Sequence, residues 1–316
     1  MTSSLSDADY QVKVAAESKK WGAHLKVEAS GEWNAWLDHP LIAEHYRQRA
    51  LIDGLSWGRW VNKALGGPAE RSLDLGCGAG SRSISAFKEG ASRYVEGLDV
   101  SEDRIAEGER LRRENRIPGE FRVADTNTVM LSPQAYELIF SCHSFHHFLE
   151  LEHIMQQVHN ALSPRGLFIL EEFVGPTQFQ WTDQQIELVR SLMSVIPERL
   201  RRLRWDAVKF LEGRPTVEDV VAASPFESIR SSEIFPLFQQ YFEVAEVRKL
   251  GGTIQHLLYN GIVHNFIPDD AEAVRHMRAI FDVEDALVDF ELLPSDFMLL
   301  IGRRNDSQRR GKPGDF

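Results

Sequence analysis

Residues 72–80, SLDLGCGAG, join an apolar run, a carboxylate at Asp74 and three glycines at alternate positions, Gly76, Gly78 and Gly80, with Cys77 between the first two. Glycine at that spacing lets the backbone turn sharply and lie directly against a ligand, so the stretch reads as a nucleotide-type loop. Asp74 narrows the choice of nucleotide. A carboxylate beside the N–H groups of a helix start repels a pyrophosphate. A GxGxxG register beginning at Gly76 also meets Ser81 where a small apolar residue should close it. A cationic ligand without phosphate suits the loop better. Further on, Asp99 ends the apolar run YVEGLDV, and a carboxylate there can accept both hydrogens of a ribose diol. Asp125 and Thr126 end the next run and can read an adenine edge, although an acid in that place also serves simply to cap a helix.

These residues need elements that bring them together. Arg71–Leu75, Tyr94–Val100, Phe121–Ala124, Tyr136–Cys142 and Leu167–Val174 read as strands, separated by helical stretches at 81–88, 101–115 and 151–162. A turn at Ser163-Pro164-Arg165-Gly166 stops the last of these helices. Strands alternating with helices specify a parallel sheet with right-handed crossovers, whose ligands bind beyond the carboxyl ends of the strands. Asp74, Asp99, Asp125 and the segment Ser141–His147 all fall there. Two more strands are expected at 242–249 and 296–302, with a helical stretch at 254–265 between them.

Before the first strand, residues 1–12 read as loose polar chain, and Trp33–Leu65 as two or three helices with a break near Pro40. Their aromatic stripe is either a face packed on a core or a cap over a pocket. After Pro176, Thr182 and Gln185 make a capping box, followed by the apolar stripe Ile186, Val189, Leu192, Met193 and Ile196. The basic run Arg199–Arg204 reads as a solvated helix face or as arginines paired with local acids.

Composition bounds the partners. Thirty-six basic and forty-seven acidic residues among 316 give a net charge of -11, which argues against nucleic acid and against an acidic membrane surface. Two distant cysteines, Cys77 and Cys142, make neither a disulfide framework nor a metal pair, and fit a reducing compartment. No HxH or HExxH motif points to a metal. With no apolar leader and no run of 18 apolar residues, the chain reads as a cytoplasmic protein.

The ordered set LDLGCGAG, LDV around Asp99, ADT around Asp125 and LIFSCHSFHHF, followed by LSPRGLFIL, resembles the class I S-adenosylmethionine-dependent methyltransferases. Residues 70–175 carry that likeness. The segments GPTQFQWTD, SSEIFPLFQQYF, GGTIQHLLYNGIVHNF and PSDFMLLIG look like those of bacterial members acting on small molecules. The resemblance implies a Rossmann-like α/β fold with a seven-stranded, mostly parallel sheet whose last strand is antiparallel. It implies S-adenosylmethionine as cofactor, with Asp74 near the methionine ammonium, Gly76, Cys77, Gly78 and Gly80 shaping the loop, and Asp99 on the ribose. Val100 would lie beside the adenine, Asp125 and Thr126 at its polar edge, and Ser141 at the methionine end.

The connections after the fifth and sixth strands are long for such a fold, roughly 65 and 45 residues, and suggest helical insertions at 176–240 and 253–290 over the acceptor. Residues 1–65 would form a helical cap, 66–302 the methyltransferase domain and 303–316 a tail. His146 and His147, where the methyl group should point, are the expected bases for transfer to a small-molecule acceptor, most simply at oxygen. His256 and His264, with Tyr259 and Asn265, are second candidates to close over the acceptor. Glu171 and Glu172, ending the fifth strand, are candidates to orient an acceptor amine or a metal, and Arg47 or Arg49 to meet the cofactor carboxylate. An NAD-dependent reductase and a catalytically silent cofactor-binding protein are the rival readings. A homodimer through the N-terminal aromatic helices stays open.

Overall fold

A computed structural model describes residues 6–305 apart from 30, 34, 206, 211 and 212. The chain opens with helix α1 (Asp7–Ala29), followed by α2 (Pro40–Arg49) and α3 (Trp57–Leu65). Next come β1 (Ser72–Leu75), α4 (Ser81–Lys88), β2 (Val95–Asp99), α5 (Glu102–Glu114), β3 (Gly119–Val123) and β4 (Tyr136–Cys142). Helix α6 (Leu151–Ala161) and strand β5 (Leu162–Phe173) complete this alternation. Helices α7 (Asp183–Ser194), α8 (Val217–Ala223) and α9 (Ser231–Tyr241) precede β6 (Phe242–Gly251). Helices α10 (Gln255–Tyr259) and α11 (Ala271–Asp289) precede β7 (Phe297–Arg304).

The seven strands form one sheet in the order β3-β2-β1-β4-β5-β7-β6. Strands β1 to β5 pair parallel, and β7 runs antiparallel to both β5 and β6. This is the Rossmann-like, mostly parallel sheet with a reversed last strand that the resemblance implies. Every residue of β1 is buried, as expected of a central parallel strand covered on both faces. Because β1 separates β2 from β4, the chain reverses its direction of winding there. The loops after β1, β2 and β4 therefore meet above one crevice.

Two local expectations change. The stretch Ser163–Gly166 does not end a helix as a turn but bulges within β5. Tyr136 pairs with Leu162 and Leu138 with Leu167, so β5 carries extra residues against β4 at that point. Residues 7–12 are not loose but belong to α1. The side chain of Ser6 caps that helix, accepting from the Asp9 amide at 3.2 Å and donating to the Asp9 carboxylate at 2.6 Å. Asp7 and Asp9 in the first turn and Lys26 in the last suit the helix dipole.

The break at Pro40 holds, with Pro40 at the first position of α2 and His39 capping it. Trp36, Ile42, Tyr46, Trp57 and Val61 are buried in one apolar cluster with residues of α7, α10, α11 and the sheet. The N-terminal aromatic stripe is thus core within this chain. The capping box of Thr182 and Gln185 also forms. In the basic run, Arg199 pairs with Asp270 at 2.6 Å, Arg202 with Glu198 at 2.9 Å and Arg204 with Glu32 at 3.1 Å. Strand β7 takes in Arg303 and Arg304, and the rest of the expected tail lies outside the described residues apart from Asn305. No described helix is long and apolar enough to cross a membrane.

Candidate active site

The loop after β1 folds as its glycines require. Gly76, Gly78 and Gly80 all have positive φ, at 71°, 53° and 77°. A Cβ on Gly76 would run into Ser144, and one on Gly80 into the ring of Phe121. The loop encloses one side of a cavity of about 580 Å³. Asp74, Gly76, Cys77, Gly78, Asp99, Val100, Thr126 and His147 border this cavity, together with Arg82, Arg104, His143, Ser144 and Phe148.

The opposite side comes from α1 through Glu17, Trp21, Leu25 and Glu28. Five carboxylates (Glu17, Glu28, Asp74, Asp99 and Glu107) face it against two guanidiniums, Arg82 and Arg104. The wall therefore favours a cation.

Asp74 is almost fully buried and receives a 2.5 Å hydrogen bond from Ser83 Oγ. Burial raises its pKa to about 7, the nearby charge of Asp99 adds to the rise, and the Ser83 bond only partly offsets it. A buried carboxyl in that condition is completed by a cationic partner. Asp99 is held from both sides, with the Gly78 amide donating to Oδ2 at 2.9 Å and the Ser101 amide to Oδ1 at 2.8 Å. Burial raises its pKa, while those two amides oppose the rise. Each oxygen keeps a lone pair for a diol.

Some expected residues stand elsewhere. Asp125 does not border the cavity. It accepts from Tyr10 Oη of α1 at 2.7 Å and from the Asn127 amide at 2.9 Å, so it docks α1 and closes its own turn. Ser141 is fully buried, and its hydroxyl donates to the Leu75 carbonyl at 2.8 Å, which braces β4 against β1. Gly80 supplies the left-handed turn before α4 and does not border the cavity.

His146 also stands back from the cavity. Its Nδ1 is 2.6 Å from Glu172 and its Nε2 3.6 Å from Glu227. Burial alone would lower its pKa, but the charges and hydrogen bonds of Glu172 and Glu227 raise it to about 10. An imidazole that already holds its proton at neutral pH is not a base, so the proton-acceptor role expected of His146 does not fit its surroundings. His147 does border the cavity, with Nδ1 2.9 Å from Glu17.

His256 stacks on Trp36 and meets Phe173, Phe179, Trp181 and Phe297 edge-on, and burial pushes its pKa down to about 4. It is a core residue, as is the fully buried Tyr259. Burial also lowers the pKa of His264, and Asn265 donates to the Arg202 carbonyl at 2.6 Å. None of these four borders the cavity. Arg49 is bound to Asp285 at 2.9 Å and Asp289 at 2.6 Å, and Arg47 pairs with Glu44.

A second, smaller cavity of about 290 Å³ adjoins the first and shares Arg82 and His143 with it. Tyr46, Trp57 and Glu171 border it too, and the buried hydroxyl of Tyr46 has no hydrogen-bond partner. Glu171 is 2.9 Å from Arg82 and 3.4 Å from His143 Nε2. Burial would raise its pKa, but Arg82, His143 and a bond from Trp57 bring it down to about 2. His143 has φ 55°, a left-handed conformation uncommon away from glycine, and its amide donates to the Glu171 carbonyl at 2.9 Å. That turn carries the side chain to the boundary between the cavities. Arg82, Glu17, Trp21 and Arg104 carried no signal in the sequence, because helix faces far apart in the chain supply them.

Residues 67–211 match a protein-family profile described as a methyltransferase domain. The human mitochondrial arginine-hydroxylase NDUFAF5 is 28% identical over 109 residues, which are 34% of this chain and 30% of that protein. The chain therefore spans under a third of the curated relative it matches. Among solved structures, an S-adenosylmethionine-dependent methyltransferase from Mesorhizobium loti is similar at 19% identity and TM-score 0.46, over 80% of this chain and 99% of that one. A geranyl diphosphate C-methyltransferase from Streptomyces coelicolor A3(2) is similar at 16% identity and TM-score 0.48, over 78% and 75%.

Proposed function

We propose that the chain, whose residues 67–211 match a methyltransferase-domain profile, is a class I S-adenosylmethionine-dependent methyltransferase that methylates a small molecule, at oxygen. The cofactor is S-adenosylmethionine, which supplies an electrophilic methyl group on a sulfonium. The observation that carries the finer reading is the pair of adjoining cavities joined at Arg82 and His143. The larger suits the donor. Its acid-rich wall matches a phosphate-free cation, Asp74 would meet the ammonium, Asp99 the ribose, and Val100 and Thr126 the adenine side. The smaller suits the acceptor, under the helices of residues 40–65, with the Tyr46 hydroxyl free to bind it.

His143 rather than His146 or His147 is then the residue to take the acceptor proton, because it alone of the three borders both cavities. Glu171, kept ionised by Arg82, faces Nε2 and leaves Nδ1 to accept a proton. Orientation supplies much of the rest. Holding the two partners in line is worth up to about 7–11 kcal/mol in favourable cases, and a positioned base adds roughly 10²–10⁴-fold. Residues 1–65 act as a cap, the stretches 176–240 and 253–290 as insertions in a domain of residues 66–302, and the protein works in the cytoplasm. The net charge of -11 disfavours a nucleic-acid acceptor.

The test is a screen for S-adenosylhomocysteine release over alcohol, phenol, amine and sugar acceptors with wild type and His143→Gln. Turnover of a hydroxyl acceptor, lowered at least 100-fold in His143→Gln, supports the reading. Turnover confined to carbon or nitrogen acceptors, or unaffected by the substitution, overturns it.

A further inference from the structure

At the edge of the donor cavity, two carboxylate–histidine pairs point at one more carboxylate. Glu172, fully buried and fixed by the amides of Phe145 at 2.5 Å and Phe173 at 2.6 Å, lies 2.6 Å from Nδ1 of His146. Glu17, fixed by Trp21 Nε1 at 2.7 Å and by Ser224 Oγ at 2.8 Å, lies 2.9 Å from Nδ1 of His147. With both Nδ1 atoms facing these carboxylates, both Nε2 atoms turn toward Oε1 of Glu227, at 3.6 and 4.0 Å. The three atoms lie within 4.8 Å of one another.

We infer that His146, His147 and Glu227 bind a divalent first-row transition-metal ion, of the zinc or ferrous class. Metal-bound imidazoles almost always give their second nitrogen to a carboxylate or carbonyl, which sets the tautomer and the ring plane. Here His146 has that support before any ion arrives, and for His147 the Glu17 carboxylate stands 2.9 Å from Nδ1 without yet making a well-aligned hydrogen bond. Four-coordinate bonds of about 2.1 Å place ligand atoms about 3.4 Å apart, so the separations of 3.6 and 4.0 Å need to close by about 0.2 and about 0.6 Å, and the two imidazoles, within 4.8 Å, by a side-chain adjustment. Two imidazoles and one carboxylate suit zinc, iron or cobalt better than magnesium or calcium, which prefer all-oxygen sites.

Charge points the same way. The third carboxylate oxygen pair is also neutralised on one side only, since Lys20 is 3.6 Å from Oε2 of Glu227. His146 holds a proton in the free protein, and a divalent ion at its Nε2 would displace that proton and cancel the two negative charges that Glu17, Glu172, Glu227 and Lys20 then leave in a largely buried cluster. The ligands come from the loop after β4 and from the loop after α8, about 80 residues on, so no sequence spacing announces them. Since His147 borders the donor cavity, the ion would be reached from there. Binding would tie α1, the β4 loop and the loop after α8 together beside the reacting centre.

The experiment is titration of the chelator-stripped, tag-free full chain with Co²⁺, read by visible absorption, beside melting curves with Zn²⁺ and Mg²⁺. The proposal predicts saturation at one Co²⁺ per chain with the bands of a four- or five-coordinate site, displacement by one equivalent of Zn²⁺, and a rise in melting temperature with Zn²⁺ but not Mg²⁺. Glu227→Gln should weaken binding more than 100-fold, and Glu17→Gln, which touches no ion, about 10–100-fold. Wild type without cobalt bands and without a Zn²⁺-dependent rise overturns the site, whatever the variants do. So does unchanged affinity in a Glu227→Gln protein that melts like wild type.

Discussion

The two walls of the donor cavity are built in opposite ways. The sheet wall is local. The loops after β1 and β2 supply Asp74 to Gly78, Asp99 and Val100 within 30 positions, and backbone amides hold the key carboxylate. The helical wall is assembled at long range. Helix α1 is docked by Tyr10 on Asp125, by Arg104 on the Trp21 carbonyl at 2.9 Å and Glu28 at 2.6 Å, and by Ser224 on Glu17. The first wall is set by strand geometry and cannot vary much without losing the donor. The second is a set of polar latches that can be exchanged one at a time.

That contrast can be broken by substitution. The largest effect is expected at the junction, where His143→Gln should lower kcat for a hydroxyl acceptor roughly 10²–10⁴-fold while the donor Kd stays within a few-fold. Equal losses in both would make His143 a donor-binding residue. On the sheet wall, Asp99→Ala removes two hydrogen bonds to a charged group and the two amides' acceptor. At about 1.5–3 kcal/mol for such a bond, donor Kd should rise at least tenfold to a hundredfold in calorimetry. An unchanged Kd would put the ribose elsewhere.

The smallest change belongs to the helical wall. Tyr10→Phe removes one latch, with a net effect of about 1 kcal/mol, and should speed amide exchange in residues 7–29 several-fold while leaving β1 and β4 protected. Faster exchange across the whole sheet would mean that α1 is part of the fold's cooperative core rather than a separable cover.

This division also explains what the sequence disclosed. Strand ends deliver Asp74 and Asp99 directly, so a pattern of apolar runs ending in acids and glycines suffices to find them, and the reversed β7 follows from the family likeness. Asp125 has the same pattern but was recruited to hold Tyr10, a partner 115 positions away that local reasoning does not see. Among the histidines, type and position in the chain were readable. The left-handed φ at His143, which turns it to both cavities, and the two glutamates that trap His146, were not. Helix α1 escaped notice because its polar surface lacks an apolar stripe, one face being turned to a cavity and not to core.

The central claim is that the acid-rich cavity beyond β1 and β2 binds the donor through its positive charge at Asp74, and calorimetric titration with S-adenosylmethionine from pH 5.5 to 8.5 tests it most directly. In the free protein Asp74 holds its proton below about pH 7, and the donor's ammonium favours the carboxylate. Binding at low pH must therefore release that proton. The account predicts one donor per chain, an affinity level above about pH 7 and falling up to tenfold per unit below it, proton release in the acidic range, and loss of this pH dependence in Asp74→Asn. Binding that is insensitive to pH and releases no proton, or tight binding of NADH in place of S-adenosylmethionine, would contradict it.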